Sequence, residues 1–120
     1  MYSPELLDHF EHPRQVGELA DPDAAAEIEN PACGDVIALQ LKVAGGRITE
    51  VRYRAKGCVP AIGCGSALAE SLIGRTIAQA QSLTREEIVV AVGGVPPASE
   101  HATHLAIDVL RAALMTLSQK

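Results

Sequence analysis

Three cysteines and one well-placed aspartate carry most of the reactive chemistry of this 120-residue chain. Two cysteines fall in one short stretch, KGCVPAIGCGSA at residues 56–67, as a doubled Gly-Cys: Cys58 and Cys64. The third, Cys33, lies in PACGD at 31–35, close before Asp35. Thiolates suit soft or borderline metals such as zinc and iron, and a carboxylate adds a harder, weaker oxygen donor. Two competing readings stay open at this level. A cysteine is commonly buried as a small apolar residue, and a Cys33–Cys58 disulfide fits the distance as well as a metal does. An odd cysteine count, with no signal-peptide pattern in MYSPELLDHF, points to a reducing, cytoplasmic setting in which thiols and ligands are favoured over disulfides.

These residues need elements to bring them together. DVIALQLKV alternates from Ile37, with Leu39, Leu41 and Val43 on one side and Gln40 and Lys42 on the other. RITEVRYRAK alternates again, Val51, Tyr53 and Ala55 against Glu50, Arg52, Arg54 and Lys56. With Gly45-Gly46 between them, the two read as a β-hairpin with one wet face. Cross-strand partners share a face. A two-residue turn would pair Leu41 with Glu50 and mix the faces. A three-residue loop over Gly45–Arg47 sets Leu41 opposite Val51 and Leu39 opposite Tyr53, and the pattern prefers it. Continued to its end, that register puts Asp35 opposite Gly57 and Cys33 beside Cys58. Gly34 would let the backbone bend there or approach a ligand closely. Cys33, Asp35 and Cys58 at one strand end make half a metal site.

Elsewhere Ser3 caps a short helix opened by Pro4, with Leu6, Leu7 and Phe10 on one face. His9 and His12 read as surface residues. AAAEIEN offers a third strand. Pro60 starts a helix that ends at Gly74, and TIAQAQSL gives a short one. Thr84 with Glu87 forms a capping box. GGVPPASE is a loop, and residues 101–118 form a long terminal helix. Strands before helices predict an α+β fold, a small antiparallel sheet of about three strands packed with helices, in a single domain spanning 1–120. A net charge of −5 and scarce aromatics argue against a nucleic-acid footprint. No apolar run reaches the ~20 residues of a membrane span.

DHFEHPRQVGEL, PACGD, KGC, and VPP followed by HATHLAIDVLRAAL occur in the order seen in the IscU/NifU-type iron–sulfur cluster scaffold family, which the chain resembles over nearly its whole length. The resemblance implies a protein that receives sulfur from a cysteine desulfurase, holds iron or a [2Fe–2S] cluster, and passes it to acceptor proteins. Zinc is a further occupant in the family. It carries over Cys33, Asp35, Cys58 and His101 as ligands. The family's cysteine after that histidine is Ala102 here, so a usual thiolate is missing. Cys64, about one turn into its helix and ~6 Å along the axis, and His104, in an H-x-x-H pair with His101, are the candidate replacements. VPPAS stands where the family has a lysine-bearing, chaperone-recognised segment, so chaperone docking is not implied. Both a monomer and a homodimer are open. The chain is expected to be a scaffold and not a turnover enzyme. Two alternatives are a zinc-dependent sulfur carrier serving a desulfurase, and a degenerate regulatory paralogue without a cluster. A Cys58–His101 hydrolase ranks last, because no third group orients the pair.

Overall fold

The structure is a computed structural model that describes residues 2–32 and 34–118. Three strands form one antiparallel sheet in the order β1 (Ala24–Asn30), β2 (Asp35–Ala44), β3 (Arg47–Lys56). Among the described residues five α-helices accompany it: α1 (Pro4–Glu11), α2 (Val59–Leu72), α3 (Ile77–Gln81), α4 (Arg85–Ala91) and α5 (Glu100–Ser118), with a 3₁₀ turn at Pro97–Ser99 inside the expected loop. The α+β expectation, with its long last helix, holds.

The hairpin register is the expected one, reached by a different route. Leu41 pairs with Val51 and Leu39 with Tyr53. The turn, however, is the two-residue Gly45-Gly46, since Ala44 pairs with Arg47. Both glycines have positive φ, 59° and 76°, as the favoured primed hairpin turns require. A bulge corrects the faces: Val43 pairs with Ile48 while Lys42 pairs with Glu50, leaving Thr49 as the extra residue. The alternation is therefore preserved by one inserted residue in β3 and not by a longer loop.

Ile37, Leu39 and Leu41 of β2, with Val51 and Tyr53 of β3, face the helices and are buried. Onto them pack Ala61, Leu68 and Leu72 of α2 and Ala106, Val109, Leu110 and Ala113 of α5. Ala, Leu, Ile and Val supply nearly all of this core, and Tyr53 is its one fully buried ring. Helix α2 is buried nearly all round, and two glycines let its neighbours close in. A Cβ on Gly63 would meet Leu6 Cδ1 of α1 at 2.4 Å, and one on Gly65 would meet the Tyr53 ring at 2.8 Å.

Helix α1 starts as expected, with Ser3 Oγ accepting from the Leu6 N–H. Its inward face differs from the expected one. Leu6 is buried, Leu7 is partly exposed, and His9 is buried where a surface residue was expected. The reason is polar pairing. Ser66 Oγ, wholly buried in α2, lies 2.7 Å from His9 Nδ1 and accepts from the Arg14 N–H at 2.9 Å. The Arg14 guanidinium, which can only donate, lies 3.5 Å from the same Nδ1, an arrangement suited to a neutral ring that accepts there. Burial and the nearby Arg14 guanidinium push the His9 pKa below its ordinary 6.5. Glu70 and Asp8 pull the other way and are outweighed. In the unfolded chain the ring takes a proton near 6.5, while the folded chain resists it, so the unfolded state binds more protons over that window. This contribution to stability is complete above about pH 6.5 and is lost as pH falls through the folded value. Denaturant unfolding across this range should show a slope that His9→Asn flattens, since the amide oxygen can accept the same bond without titrating.

Candidate metal centre

Strand β2 begins at Asp35, and β3 ends at Lys56, just before the Gly57-Cys58 step into α2. The hairpin register brings these ends together, and α5 delivers His101 one residue after its start. Among the described residues the result is a cluster of three. One ligand atom each from Asp35, Cys58 and His101 all lie within 4.8 Å of one another. Asp35 is at the centre and only 2% exposed. Its Oδ1 accepts from the Cys58 backbone N–H at 3.0 Å and its Oδ2 from the Cys58 thiol at 3.1 Å. His101 Nε2 is 3.3 Å from the same Oδ2 and 3.8 Å from Cys58 Sγ. Cys58 and His101 are half-buried, so the cluster opens to solvent on their side.

Each group is held by its surroundings. Cys58 is the N-cap residue of α2, where the helix dipole favours negative charge and no side chain caps the first turn. His101 Nδ1 lies 3.2 Å from the Ala98 carbonyl of the 3₁₀ turn. A proton on Nδ1 donated to that carbonyl leaves the Nε2 lone pair aimed at Asp35 and Cys58, the tautomer a metal needs. The VPPAS segment thus acts on the site through a backbone oxygen, which side-chain motifs could not reveal.

Gly57 is a second contributor that sequence reasoning passed over. Its φ is 133°, and a Cβ there would sit 2.0 Å from Asp35 Oδ1. The absent side chain is the space the carboxylate occupies. Glycine precedes both cysteines of the doublet, but for different reasons: Gly57 admits Asp35, whereas Gly63 admits Leu6. The repetition was visible in the sequence, and its two causes were not.

The expected residues separate as follows. Asp35, Cys58 and His101 come together. Cys33 lies outside the described residues. Cys64 is fully buried in the core, and burial, reinforced by the nearby Cys58, pushes its thiol up to about 12. His104 is exposed on α5. Neither joins the cluster. Ala102 is fully buried in α5. The donor set, a thiol, an imidazole and a carboxylate around one opening, fits zinc or iron and does not fit a hard cation.

Comparison with known proteins gives the family. Residues 1–120 match the family described as NifU-like N terminal domain. The chain is 38% identical over 120 residues to the iron-sulfur cluster assembly scaffold protein IscU 1 of Archaeoglobus fulgidus, covering 100% of this chain and 78% of that one. It is 37% identical over 123 residues to the iron-sulfur cluster assembly scaffold protein IscU of Azotobacter vinelandii, covering 99% and 95%. The crystal structure of a nitrogen-fixing NifU-like protein (N-terminal) from Brucella abortus superposes with a TM-score of 0.80 at 21% identity, covering 98% of this chain and 94% of that one. The structural likeness shows the fold, and the sequence likeness shows the family. No described helix is long and apolar enough to cross a membrane.

Proposed function

The chain belongs to the NifU-like N-terminal domain family, and from that premise we propose that it is an iron–sulfur cluster assembly scaffold whose cargo is held by Cys33, Asp35, Cys58 and His101. The observation that carries this reading is the convergence of Asp35, Cys58 and His101 from three separate elements onto one half-open point. Relatives named as iron-sulfur cluster assembly scaffold proteins match over nearly the whole chain, which supports the same role.

The chemistry follows from the donors. Cys58 supplies a thiolate for iron, and its N-cap position favours that charge. His101 supplies a neutral nitrogen, its tautomer set by the Ala98 carbonyl. Asp35 is the weak oxygen donor. Because it already serves the Cys58 N–H through Oδ1, it stays anchored whether or not its other oxygen engages the cargo. A scaffold must release as well as hold, and one weak donor among stronger ones lowers the barrier to release. The proposed cargo is iron or a [2Fe–2S] cluster, with zinc as an alternative occupant of the same donors. The proposed partners are a cysteine desulfurase and cluster acceptors, in the cytoplasm. Ala102 offers no thiolate, and Cys64 is buried away from the opening, so Cys58 is the described thiol best placed to meet incoming sulfur.

Transfer is the defining test. The protein loaded anaerobically with iron and sulfide and mixed with an apo-ferredoxin should convert it to the holo form, read by visible circular dichroism. Cluster that stays on the chain, or that reaches the acceptor no faster than free iron and sulfide do, would rule out a scaffold.

A further inference from the structure

The face of the sheet turned away from the helices carries an ordered charge pattern unrelated to the metal centre. Pairing across the three strands sets Glu27 beside Ala38 beside Arg54, and the next outward-facing row Glu29 beside Val36 beside Lys56. Acid lies on β1, a small or apolar residue on β2, and base on β3. Glu27, Glu29, Arg54 and Lys56 are exposed. The third row, Ala25–Gln40–Arg52, is occupied from within: the Leu19 N–H donates to Gln40 Oε1 at 2.6 Å, and Arg52 donates to Gln15 Oε1 at 2.9 Å. Beyond it Lys42 pairs with Glu50 on the same face, base on β2 and acid on β3, so the acid-to-base order is confined to the two rows at the other end, which remain open. They border two shallow depressions, of about 290 Å³ and about 270 Å³, both lined by Glu27, Ala38 and Arg54.

From this pattern we infer that the outer sheet face is a self-complementary docking surface for a second copy of this chain. A two-fold axis lying between two facing sheets and running along β2 exchanges left and right. It places β1 of one copy over β3 of the other at the same height. Glu27 then faces the partner's Arg54, Glu29 faces the partner's Lys56, and Ala38 and Val36 meet their own copies at the centre. Each pair occurs twice by symmetry. An axis across the strands would instead set acid on acid. Face-to-face sheets pack about 10 Å apart, a gap that Glu with Arg or Lys can span over a central alanine. The two open rows hold two acids and two bases, so this end of the face is balanced on a chain of net charge −5. Two such chains repel each other least where these faces meet. Arg54 is already paired with Glu18 of its own loop, but both side chains are more than half exposed, and such a surface pair contributes little. Arg54 can therefore turn between Glu18 and the partner's Glu27. Two short rows make a small interface, so the association belongs to the weak, transient class.

Charge reversal tests this with a built-in rescue. Glu27→Arg with Glu29→Lys makes the two rows wholly basic, and Arg54→Glu with Lys56→Glu makes them wholly acidic. In sedimentation equilibrium over a wide concentration range, the unaltered protein should self-associate. Each reversed pair should weaken that by at least about 10-fold. An equimolar mixture of the two variants, and the chain carrying all four changes, should associate again. Salt alone is a poor test, because it screens both the attraction and the net repulsion. Concentration-dependent amide shifts at residues 27, 29, 54 and 56 in the unaltered protein read the same surface without substitution. A protein that stays monomeric throughout overturns the proposal. So does an association that both reversals leave intact, or a mixture that fails to associate.

Discussion

Gly57→Ala should lower stability by about 2–3 kcal/mol and abolish metal loading together. At φ 133° a side chain is strained whatever the space, and here there is none, with Asp35 Oδ1 2.0 Å from the added Cβ. The neighbour cannot swing away cheaply, because it is a buried carboxylate anchored by the Cys58 N–H. Displacing Asp35 leaves that donor without its acceptor and pulls the carboxylate from Cys58 and His101. Gly74→Ala is the matched control. It also sits at positive φ, 84°, but with nothing within 4 Å, so it should cost only the backbone strain of about 1 kcal/mol and leave loading intact. Denaturant melts and retained iron, measured on both variants, separate the two effects. Equal stability losses, or normal loading in Gly57→Ala, would show that the close approach of Asp35 does not matter.

Cys58 should react with iodoacetamide at least about 100-fold faster than Cys64 in the folded protein. Thiolate is the reacting form, and the Cys64 thiol is pushed up to about 12 within a core that shields it fully. Cys58 is half-buried at a helix N-cap with its sulfur beside the opening. Site-resolved mass spectrometry after timed labelling gives both rates, and unfolding should bring them together. Zinc added beforehand should protect Cys58 and leave the Cys64 rate unchanged. Comparable rates in the folded chain would mean that Cys64 reaches solvent and remains a candidate ligand.

The contrast between these cysteines shows how far the sequence could be read. Both follow glycine. Hairpin pairing decided for Cys58, because side-chain alternation is a two-residue rhythm that fixes which strand ends meet. That inference survived a mistake in its mechanism: the loop has two residues and the register is restored by a bulge at Thr49. The pattern constrained the outcome, and the turn and bulge were two ways to satisfy it. Helix α1 shows the opposite case. Its apolar residues suggested an inward face that left out His9, because nothing local announces that Ser66, far along the chain, offers a hydroxyl to the ring. Gly57 and the Ala98 carbonyl were hidden for the same reason. Each acts through a neighbour brought close only by folding. His101 became visible through resemblance to a family and not through spacing, since α5 is the last element of the chain.

Asp35, Cys58 and His101 as one loading site is the central claim, and iron content after anaerobic reconstitution tests it most directly. Protein incubated with ferrous iron and sulfide, then desalted without oxygen, should retain iron and acid-labile sulfide in equal amounts with a visible chromophore. Cys58→Ala, folded as judged by circular dichroism, should retain neither. Colourless, iron-free wild-type protein, or a Cys58→Ala variant that loads as fully as the wild type, would contradict it.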